Sequence, residues 1–284
     1  MKRIIVTGSQ GGAGRSIVQV LRGAGYTVIG VDLLPWDGQE QDYVQLDLRD
    51  GAGVNDILSG ADGVIHFGSP PSDAFCSPTE AFHMLAVAGF NVFQAARNVG
   101  VQRIVWASSI RVYGDLAAQS TLPVTENSPL APSSIYGASK VLLENLARDF
   151  CRWTDMSIAG FRLSRIIYDT PGGREKLKRV SSADSIGADC LWSYVDARDV
   201  ATACQAWLES DLQGAEEFNL GADNVHRDTP TRQLLAKHGY GHLECPAQWG
   251  ENETLFSSGK LRAMLPWQAK YDWKQILAQA EEKG

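Results

Sequence analysis

The stretch Thr7-Gly-Ser-Gln-Gly-Gly-Ala-Gly14 decides how this chain folds. It follows residues 2–6, Lys-Arg-Ile-Ile-Val, whose β-branched run predicts a buried parallel strand. Gly8 permits a tight turn, Gly11 lets the backbone approach a phosphate, and Gly14 lets the next helix pack closely on the strand. The helix predicted after this turn points its N-terminal N–H groups at the same phosphate.

A second apolar strand, predicted at 26–31, ends in Asp32. Strand, glycine turn, helix, strand and acid follow one another at the spacing of a dinucleotide site, in which the acid binds the adenosine ribose. A carboxylate there repels a 2′-phosphate, and Leu33 and Leu34 follow where an arginine could neutralise one. We therefore predict NAD rather than NADP; the alternatives are a merely structural turn and an aspartate that caps the next turn.

Tyr136 and Lys140 carry the second informative pattern, Tyr-Gly-Ala-Ser-Lys. Four residues apart on a helix, they lie one turn from each other on the same face. A free tyrosine has a pKa of about 10, and a nearby ammonium or nicotinamide cation favours its phenolate. Tyr136 is then a candidate general base for a substrate hydroxyl. Without the glycine turn, such a pair would more often be a surface pair.

Composition is consistent with a soluble enzyme of 284 residues. The net charge of −7 argues against a nucleic-acid or acidic-membrane partner, which would need a basic face. No signal peptide or membrane-spanning run is predicted. The five cysteines are scattered and lack CxxC spacing, so we expect reduced thiols and a cytoplasmic location. We also expect no metal site, because two glycines separate His238 from His242 and Cys245.

Strand-like and helix-like segments alternate along the first part of the chain, which predicts an α/β fold with a parallel sheet covered on both faces. A long helix is expected at about 79–98, and a polar, basic loop at 169–189. A short strand at 191–195 and a helix at 197–208 are expected next. Further helical stretches are predicted near 231–237, 259–265 and 273–282.

These motifs together resemble the extended short-chain dehydrogenase/reductases, also called the NAD-dependent epimerase/dehydratase family. The resemblance covers roughly residues 2–220. It implies a Rossmann-type doubly wound parallel sheet with a small C-terminal substrate lobe, a bound NAD, and a sugar or nucleotide-sugar substrate. Its motifs are TGSQGGAG at 7–14, Asp32, Leu46-Asp47-Leu48, ADGVIHFGS at 61–69, SSIRVYG at 108–114, YGASK at 136–140 and WSYVDARDVA at 192–201.

From the resemblance we expect an NAD-binding domain over 1–165, with elements returning from about 190–222, and a mainly substrate-binding lobe over 166–284. The implied catalytic residues are Ser109, Tyr136 and Lys140, with Ser108 as an adjacent substitute for Ser109. The expected substrate-binding residues are Ser69, Ser109, Ile110, Arg111, Ser164 and Arg165. The expected cofactor-binding residues are Gly8, Gln10, Gly11, Gly12, Ala13, Gly14, Asp32, Asp47, Leu48, Phe67, Gly68, Ser69, Ala107, Tyr136 and Lys140.

His66 is expected near the cofactor, either as a functional residue or as a half-buried structural one. A homodimer is implied through the helices at about 79–98 and 134–152. On the first of these helices an apolar stripe of Phe82, Leu85, Val92 and Phe93 fits either this contact or the sheet.

Arg165 stands where nucleotide-sugar members usually carry an Asn that contacts the sugar-nucleotide phosphates. An arginine fork suits a carboxylate or phosphate, although an ion pair with Asp196 or Asp199 is an alternative. We therefore predict an oxidoreductase acting on a small sugar or sugar acid with NAD. A nucleotide-sugar epimerase or dehydratase and a non-catalytic NAD sensor are the alternatives.

Overall fold

The computed structural model describes residues 2–36, 42–70, 72, 75–119, 121–182, 187–246 and 248–281. Its strands are β1 (Arg3–Thr7), β2 (Thr27–Asp32), β3 (Tyr43–Gln45), β4 (Gly63–His66), β5 (Arg103–Ser109), β6 (Ser157–Leu163), β7 (Arg165–Ile167), β8 (Tyr194–Asp196) and β9 (Ala215–Leu220). Its α-helices are α1 (Gly12–Gly23), α2 (Gly51–Leu58), α3 (Pro78–Phe82), α4 (Ala88–Val99), α5 (Ile135–Trp153), α6 (Pro171–Ser181), α7 (Ala197–Glu209), α8 (Thr231–Lys237), α9 (Gly259–Met264) and α10 (Trp273–Glu281).

Seven strands form one parallel sheet in the order β3-β2-β1-β4-β5-β6-β9. The order reverses beside β1, and a reversal of this kind opens a crevice at the carboxyl ends of the strands. The glycine turn follows β1 at this edge, and the segment after β4 ends beside it. The predicted doubly wound Rossmann-type sheet is thus confirmed, and its switch point defines where a ligand binds.

Alternate side chains of the strands enter two hydrophobic cores, because successive residues point to opposite faces. Ile4 and Val6 of β1 pack with α1 and α7, where Trp207 is fully buried. Ile5 packs on the other face with α2, α4 and α5, where Phe93 meets Trp106 edge to face. Helices therefore cover both faces of the sheet, and they fix the strand ends that carry the site.

A third core lies beyond the carboxyl edge of the sheet and joins segments that are far apart in sequence. Its buried members are Ile110, Val112, Tyr113, Leu116, Val124, Cys190, Leu191, Trp192, Val225, Leu234, Leu235, Leu255 and Phe256. β7 and β8 pair in a separate two-stranded sheet next to it. We propose that the substrate lobe includes the 110–124 segment as well as residues beyond 165, which modifies the predicted boundary.

Several predicted elements differ from the structure. The helix at 79–98 is continuous from Pro78 but contains a π-helical turn at His83–Val87. The predicted loop at 169–189 contains α6, whose N-cap Thr170 accepts a hydrogen bond from Gly173 N at 3.1 Å. The strand predicted at 191–195 is confined to β8, because Leu191 and Trp192 adopt positive φ. None of the described helices is both long and apolar enough to cross a membrane.

Candidate active site

The glycine turn has little room for side chains. Gly8 has a φ of +72°, in the region that favours glycine. A Cβ on Gly14 would lie 2.1 Å from the carbonyl oxygen of Gly8, so the helix can approach the turn only without a side chain there. α1 begins at Gly12, and no side chain caps its N-terminus at Gly11. Its first N–H groups therefore suit an anionic ligand.

Asp32 ends β2 beside this turn. One carboxylate oxygen accepts a hydrogen bond from Gln10 N at 2.9 Å and the other accepts one from Leu34 N at 3.2 Å. These backbone donors orient the carboxylate, while Leu33 and Leu34 are exposed. The arrangement fits the predicted binding of two ribose hydroxyls, since ionised oxygens can accept further hydrogen bonds.

Asp47 and Leu48 follow β3 on the next side of the crevice. Asp47 forms a two-pronged ion pair with Arg49, whose hydrogen bonds lower the pKa of the Asp47 carboxyl. The backbone of Leu48 is fixed by Asn91 of α4, whose side-chain nitrogen donates to the Leu48 carbonyl at 2.9 Å. The predicted adenine-side pair is thus part of the crevice wall, and its aspartate is engaged by Arg49.

The crevice is one continuous groove made of two adjoining cavities that share Gly8, Gly11, Phe67, Ser69, Pro70 and Phe75. The first, of about 360 Å³, is lined by the predicted residues Gly8, Gln10, Gly11, Asp32, Asp47, Leu48, Phe67, Gly68 and Ser69. The second, of about 580 Å³, is lined by the predicted residues Gly8, Gly11, Gly12, Ala13, Gly14, Phe67, Ser69, Ala107, Ser109, Ile110, Arg111, Tyr136, Ser164 and Arg165. The fold thus gathers along one groove every predicted site residue except Lys140, which lies behind its wall.

Lys140 is buried directly behind Tyr136 on α5. Its ammonium lies 5.4 Å from the centre of the Tyr136 ring and donates to the Ala107 carbonyl at 2.6 Å and to Ser69 Oγ at 3.3 Å. Burial lowers the pKa of Lys140 to about 7, although the charge of Glu144 opposes this shift. The cation therefore sits where it can favour a phenolate on Tyr136, and its charge changes near neutral pH.

Ser108 and Ser109 end β5, but only Ser109 suits the catalytic prediction. Ser108 Oγ donates to Glu144 at 2.7 Å, and Glu144 is also held by Arg162, with an Nη2 to Oε2 distance of 2.7 Å. Ser108 is thus bonded within a buried network that joins β5, β6 and α5. Ser109 lies on the cavity wall with Tyr136, and its Oγ accepts from Arg111 N at 3.1 Å. Its hydroxyl hydrogen can still be donated to a substrate oxygen.

His66 has a structural environment. It is 4% exposed, and its Nδ1 lies 2.8 Å from Thr7 Oγ1, which also accepts from Gly68 N. Burial and the nearby Lys140 charge lower the pKa of His66 to about 3, so the ring is neutral at physiological pH. These contacts tie the ends of β1 and β4 together and favour the structural interpretation.

Arg111 and Arg165 enter the second cavity from different elements and face the same carboxylate. Arg111, in the 3₁₀ turn Ile110–Tyr113, bonds to Asp189, and Arg165 Nη2 of β7 lies 3.8 Å from Asp189 Oδ1. Burial would lower the pKa of Arg111, but the hydrogen bond and charge of Asp189 outweigh it and raise that pKa. The two arginines form a cationic end of the cavity.

The alternative partners considered for Arg165 are engaged elsewhere. Asp196 binds Arg198 at 2.8 Å, and Asp199 accepts from Lys270 N at 3.0 Å. The Nε of Arg165 is buried and has no hydrogen-bond partner among the described residues. Ser164, also predicted to bind substrate, lies on the cavity wall but donates its hydroxyl to Leu220 O at 3.2 Å. Of these two, Arg165 is the better candidate for contact with a ligand.

Sequence reasoning missed several residues of the second cavity. Tyr168 follows β7, and its ring covers the start of α1 so closely that a Cβ on Gly12 would lie 2.5 Å from it. Lys176 of α6 and Cys190 also line this cavity. The basic run containing Lys176 is a helix and not the solvated loop that the sequence suggested. No local signal could reveal these residues, because only the packing of the lobe on the sheet brings them here.

The residues of the groove fit the predicted NAD. Gly11, Gly12 and Ala13 form a cradle without bulky side chains at an uncapped helix N-terminus, as a pyrophosphate requires. Asp32 lies at one end for the adenosine ribose, and Tyr136 lies toward the other, beside Lys140. A dinucleotide is long enough to occupy both cavities, since each opens onto the glycine turn.

Comparison with known proteins gives relatives with different activities, among them uronate dehydrogenases and nucleotide-sugar 4-epimerases. The uronate dehydrogenase of Pseudomonas putida is 30% identical over 148 residues, which cover 51% of this chain and 54% of that protein. The chain thus spans about half the length of the uronate dehydrogenases that it matches. The UDP-glucose 4-epimerase of Bacillus subtilis is 28% identical over 97% of this chain and 94% of that protein.

A solved structure and a family model give the broader relationship. A short-chain dehydrogenase/reductase superfamily protein from Agrobacterium tumefaciens, crystallised with NAD, has a TM-score of 0.76 and 26% identity over 98% of this chain and 95% of that chain. The model of the NAD-dependent epimerase/dehydratase family matches residues 4–221. The chain therefore belongs to the NAD-dependent epimerase/dehydratase family.

Proposed function

We propose that this chain is an NAD-dependent dehydrogenase that oxidises a hydroxyl of a small sugar acid, with a hexuronate as the preferred substrate class. The observation that carries the proposal is the position of Arg165 in the same cavity as Tyr136 and Ser109. A guanidinium there can bind a carboxylate while the tyrosine meets a hydroxyl of the same small molecule. The similarity to uronate dehydrogenases supports this assignment.

The chemistry follows from the groups around Tyr136. Its phenolate oxygen takes the proton of the substrate hydroxyl, and the Lys140 ammonium stabilises the phenolate beforehand. Ser109 Oγ–H donates to the same substrate oxygen and fixes its position. NAD, when bound, supplies the hydride acceptor. Arg165 binds the carboxylate and so orients the sugar relative to Tyr136.

The runner-up is a nucleotide-sugar epimerase, in which no net oxidation of the substrate appears. Similarity to the Bacillus subtilis UDP-glucose 4-epimerase over nearly the whole chain favours it. A non-catalytic NAD sensor is less well supported, because Tyr136 and Ser109 line one cavity and Lys140 lies directly behind Tyr136. The epimerase and the dehydrogenase differ in one measurable respect, the accumulation of free NADH.

The proposal is tested by following NADH absorbance with NAD and a panel of hexuronates, neutral aldoses and nucleotide-sugars. We expect NADH to accumulate with a hexuronate. Tyr136→Phe should lower kcat about 10²- to 10⁴-fold, the range that general acid–base catalysis contributes. Conversion of a nucleotide-sugar to its epimer without NADH release would replace the proposal by the runner-up.

Arg165 is tested by substitutions that separate charge from shape. Arg165→Met should raise KM for the hexuronate about 10- to 100-fold, since a hydrogen bond to a charged group contributes roughly 1.5–3 kcal/mol. A neutral aldose should be affected far less. Arg165→Lys keeps the charge without the planar fork, so we expect an intermediate KM. Equal losses for the acid and the neutral sugar would remove Arg165 from carboxylate recognition.

We also infer a homodimer through the helices α3 to α5, as predicted from the sequence. The predicted apolar stripe does not lie on one surface. Leu85, Val92 and Phe93 are buried in the fold, while Phe82 is exposed. The support comes from exposed apolar side chains on these neighbouring helices, namely Phe82, Val87, Phe90 and Leu142. Sedimentation analysis of Phe90→Asp tests the inference, and a wild-type protein that sediments as a monomer would contradict it. The cytoplasmic location stays a prediction; the five cysteines are unpaired in the structure.

A further inference from the structure

A carboxylate of the protein pairs with the two arginines at the cationic end of the second cavity. Asp189 lies in the 3₁₀ turn Ala188–Cys190, with one oxygen bonded to Arg111 Nη2 and the other 3.8 Å from Arg165 Nη2. The two arginines are brought together from separate segments, and Asp189 lies between their guanidinium groups. An incoming anion therefore meets a pair of cations that is partly neutralised.

The charges at this end can be counted. Arg111 and Arg165 contribute two positive charges and Asp189 one negative charge, which leaves one net positive charge for a ligand. Lys176 also lines the cavity from α6, and this helix begins beside Tyr168, because a Cβ on Gly173 would lie 2.2 Å from the Tyr168 carbonyl oxygen. The Tyr168 ring in turn covers Gly12 at the start of α1. We therefore assign Lys176 to the cofactor end of the cavity.

The three side chains remain accessible, as a ligand site requires. The exposed fractions are 39% for Arg111, 27% for Arg165 and 53% for Asp189. Within the described part of the chain, the buried Nε of Arg165 lacks a hydrogen-bond partner, and its Nη2 has a long contact of 4.0 Å with Cys190 Sγ in addition to Asp189. The hydrogen-bonding capacity of Arg165 is thus incompletely used, which indicates that its guanidinium can accept another anion.

We propose that Asp189 is a charge-selectivity residue, which limits this end of the cavity to substrates that carry a single negative charge. This inference rests on the proposed oxidation of a sugar acid and specifies it further. A hexuronate with one carboxylate matches the single net positive charge. A dicarboxylic sugar acid or the diphosphate of a nucleotide-sugar brings at least two charges and is repelled by Asp189 more strongly. Arg111 and Arg165 alone would attract such dianions.

Binding experiments with Asp189→Asn test this selectivity without requiring turnover. Isothermal titration of the NADH-loaded protein would compare a hexuronate with the corresponding aldarate, which has two carboxylates. Removing one negative charge at a partly exposed site should favour each ligand charge on the order of 3-fold. We therefore expect Kd to fall about 3-fold for the hexuronate and about 10-fold for the aldarate.

Two further variants separate charge from position. Asp189→Glu keeps the charge and should retain the wild-type ratio of the two Kd values. Asp189→Ser removes the same charge with a smaller side chain and should give the same changes in Kd as Asp189→Asn. It replaces Asp189→Asn in the test if that variant folds poorly. Weaker binding of both anions by the same factor in Asp189→Asn would overturn the proposal, because Asp189 would then only position the arginines.

The same data distinguish failure of this inference from failure of the proposed function. A shift in the ratio of Kd values without NADH production from any hexuronate would support charge selection and refute the dehydrogenase. NADH production from a hexuronate with an unchanged ratio in Asp189→Asn would support the dehydrogenase and refute the role of Asp189.

Discussion

Asp32 lines one end of the groove and Asp189 pairs with two arginines that line the other, and the two carboxylates are held in different ways. Asp32 accepts hydrogen bonds from the backbone N–H groups of Gln10 and Leu34. Asp189 faces the guanidinium groups of two arginines. Backbone donors leave a carboxylate charged and able to accept hydrogen bonds from hydroxyls, whereas guanidinium groups neutralise it. From this comparison we propose that one end selects its ligand by hydrogen-bond geometry and the other by charge.

The largest expected effect is that of Gly14→Ala in the glycine turn, where the two cavities of the groove meet. Its Cβ would lie 2.1 Å from the Gly8 carbonyl oxygen, so the turn or α1 must shift. We expect the free energy of unfolding to fall by about 3 kcal/mol, at the upper end for overpacking, and NAD binding to be lost. Urea unfolding and calorimetric titration with NAD measure these effects.

Gly23→Ala is the matched control in the same helix. Among the described residues, no atom outside its chain neighbours and its own helix backbone lies within 4 Å of the added Cβ, and alanine in a helix is favoured over glycine by roughly 0.5–1 kcal/mol. The control should be slightly stabilised and should bind NAD normally. Wild-type NAD affinity in Gly14→Ala would show that the turn does not form the phosphate site.

Lys140→Met disrupts the other end of the groove, where Tyr136 and Ser109 lie. Loss of the ammonium beside Tyr136 should lower kcat about 10²-fold and move the pH of half-maximal oxidation upward, because the phenolate loses its neighbouring cation. A pH profile of kcat measures both changes. Lys178→Met, at an exposed position of α6, serves as the control, and an unshifted profile in Lys140→Met would separate Lys140 from the acidity of Tyr136.

Asp32→Asn tests how the groove distinguishes NAD from NADP at the predicted adenosine ribose site. We expect the Kd for NAD to rise about 10-fold, since hydrogen bonds to a charged group become bonds to a neutral one. NADP should bind better than to the wild-type protein, because the repulsion of its 2′-phosphate is removed. Titration with both cofactors is the measurement, and Asp56→Asn, at an exposed position of α2, is its control. An unchanged Kd for NAD would place the ribose elsewhere.

The smallest expected effect is on the pH dependence of the free energy of unfolding. It concerns His66, which precedes Phe67 on the wall shared by the two cavities. Its pKa is lowered to about 3 by burial and by Lys140, so the unfolded chain binds more protons once the pH falls below about 6.5. Stability is therefore lost as the pH falls. Between pH 7.5 and 5.5 this histidine should account for a loss of about 1.4 kcal/mol.

His66→Asn should remove that part of the pH dependence. Urea unfolding at both pH values gives the difference, and His83→Asn at an exposed position should leave the dependence unchanged. If the free energy of unfolding changes equally with pH in His66→Asn and in the wild type, the histidine is not held neutral in the fold.

The difference between Asp32 and Asp189 also shows which contacts of the site can be predicted from the sequence. The backbone donors to Asp32 come from the glycine turn and from a residue two positions after the aspartate, so local spacing is enough to predict them. The partners of Asp189 lie 78 and 24 positions earlier in the chain, at Arg111 and Arg165, and only the fold brings them together. The arginines themselves were predicted, but their shared carboxylate was not.

The remaining differences have similar causes. The basic run of α6 is predicted as a loop because two glycines and a proline begin it, although a proline in the first turn and a threonine cap suit a helix start. Tyr168 was missed because its contact with Gly12 joins residues that are distant in sequence. Ser108 and Ser109 could not be distinguished until Glu144 was placed beside one of them.

The contact between Gly12 and Tyr168 also constrains how this chain can diverge. A side chain at position 12 would place its Cβ 2.5 Å from the aromatic ring, so Tyr168 must rotate away or be replaced by a smaller residue. A larger residue at position 12 is therefore linked to a change at position 168. We expect substitutions at 12 and 168 to occur together among its descendants, as a compensating pair that links the cofactor turn to the substrate lobe.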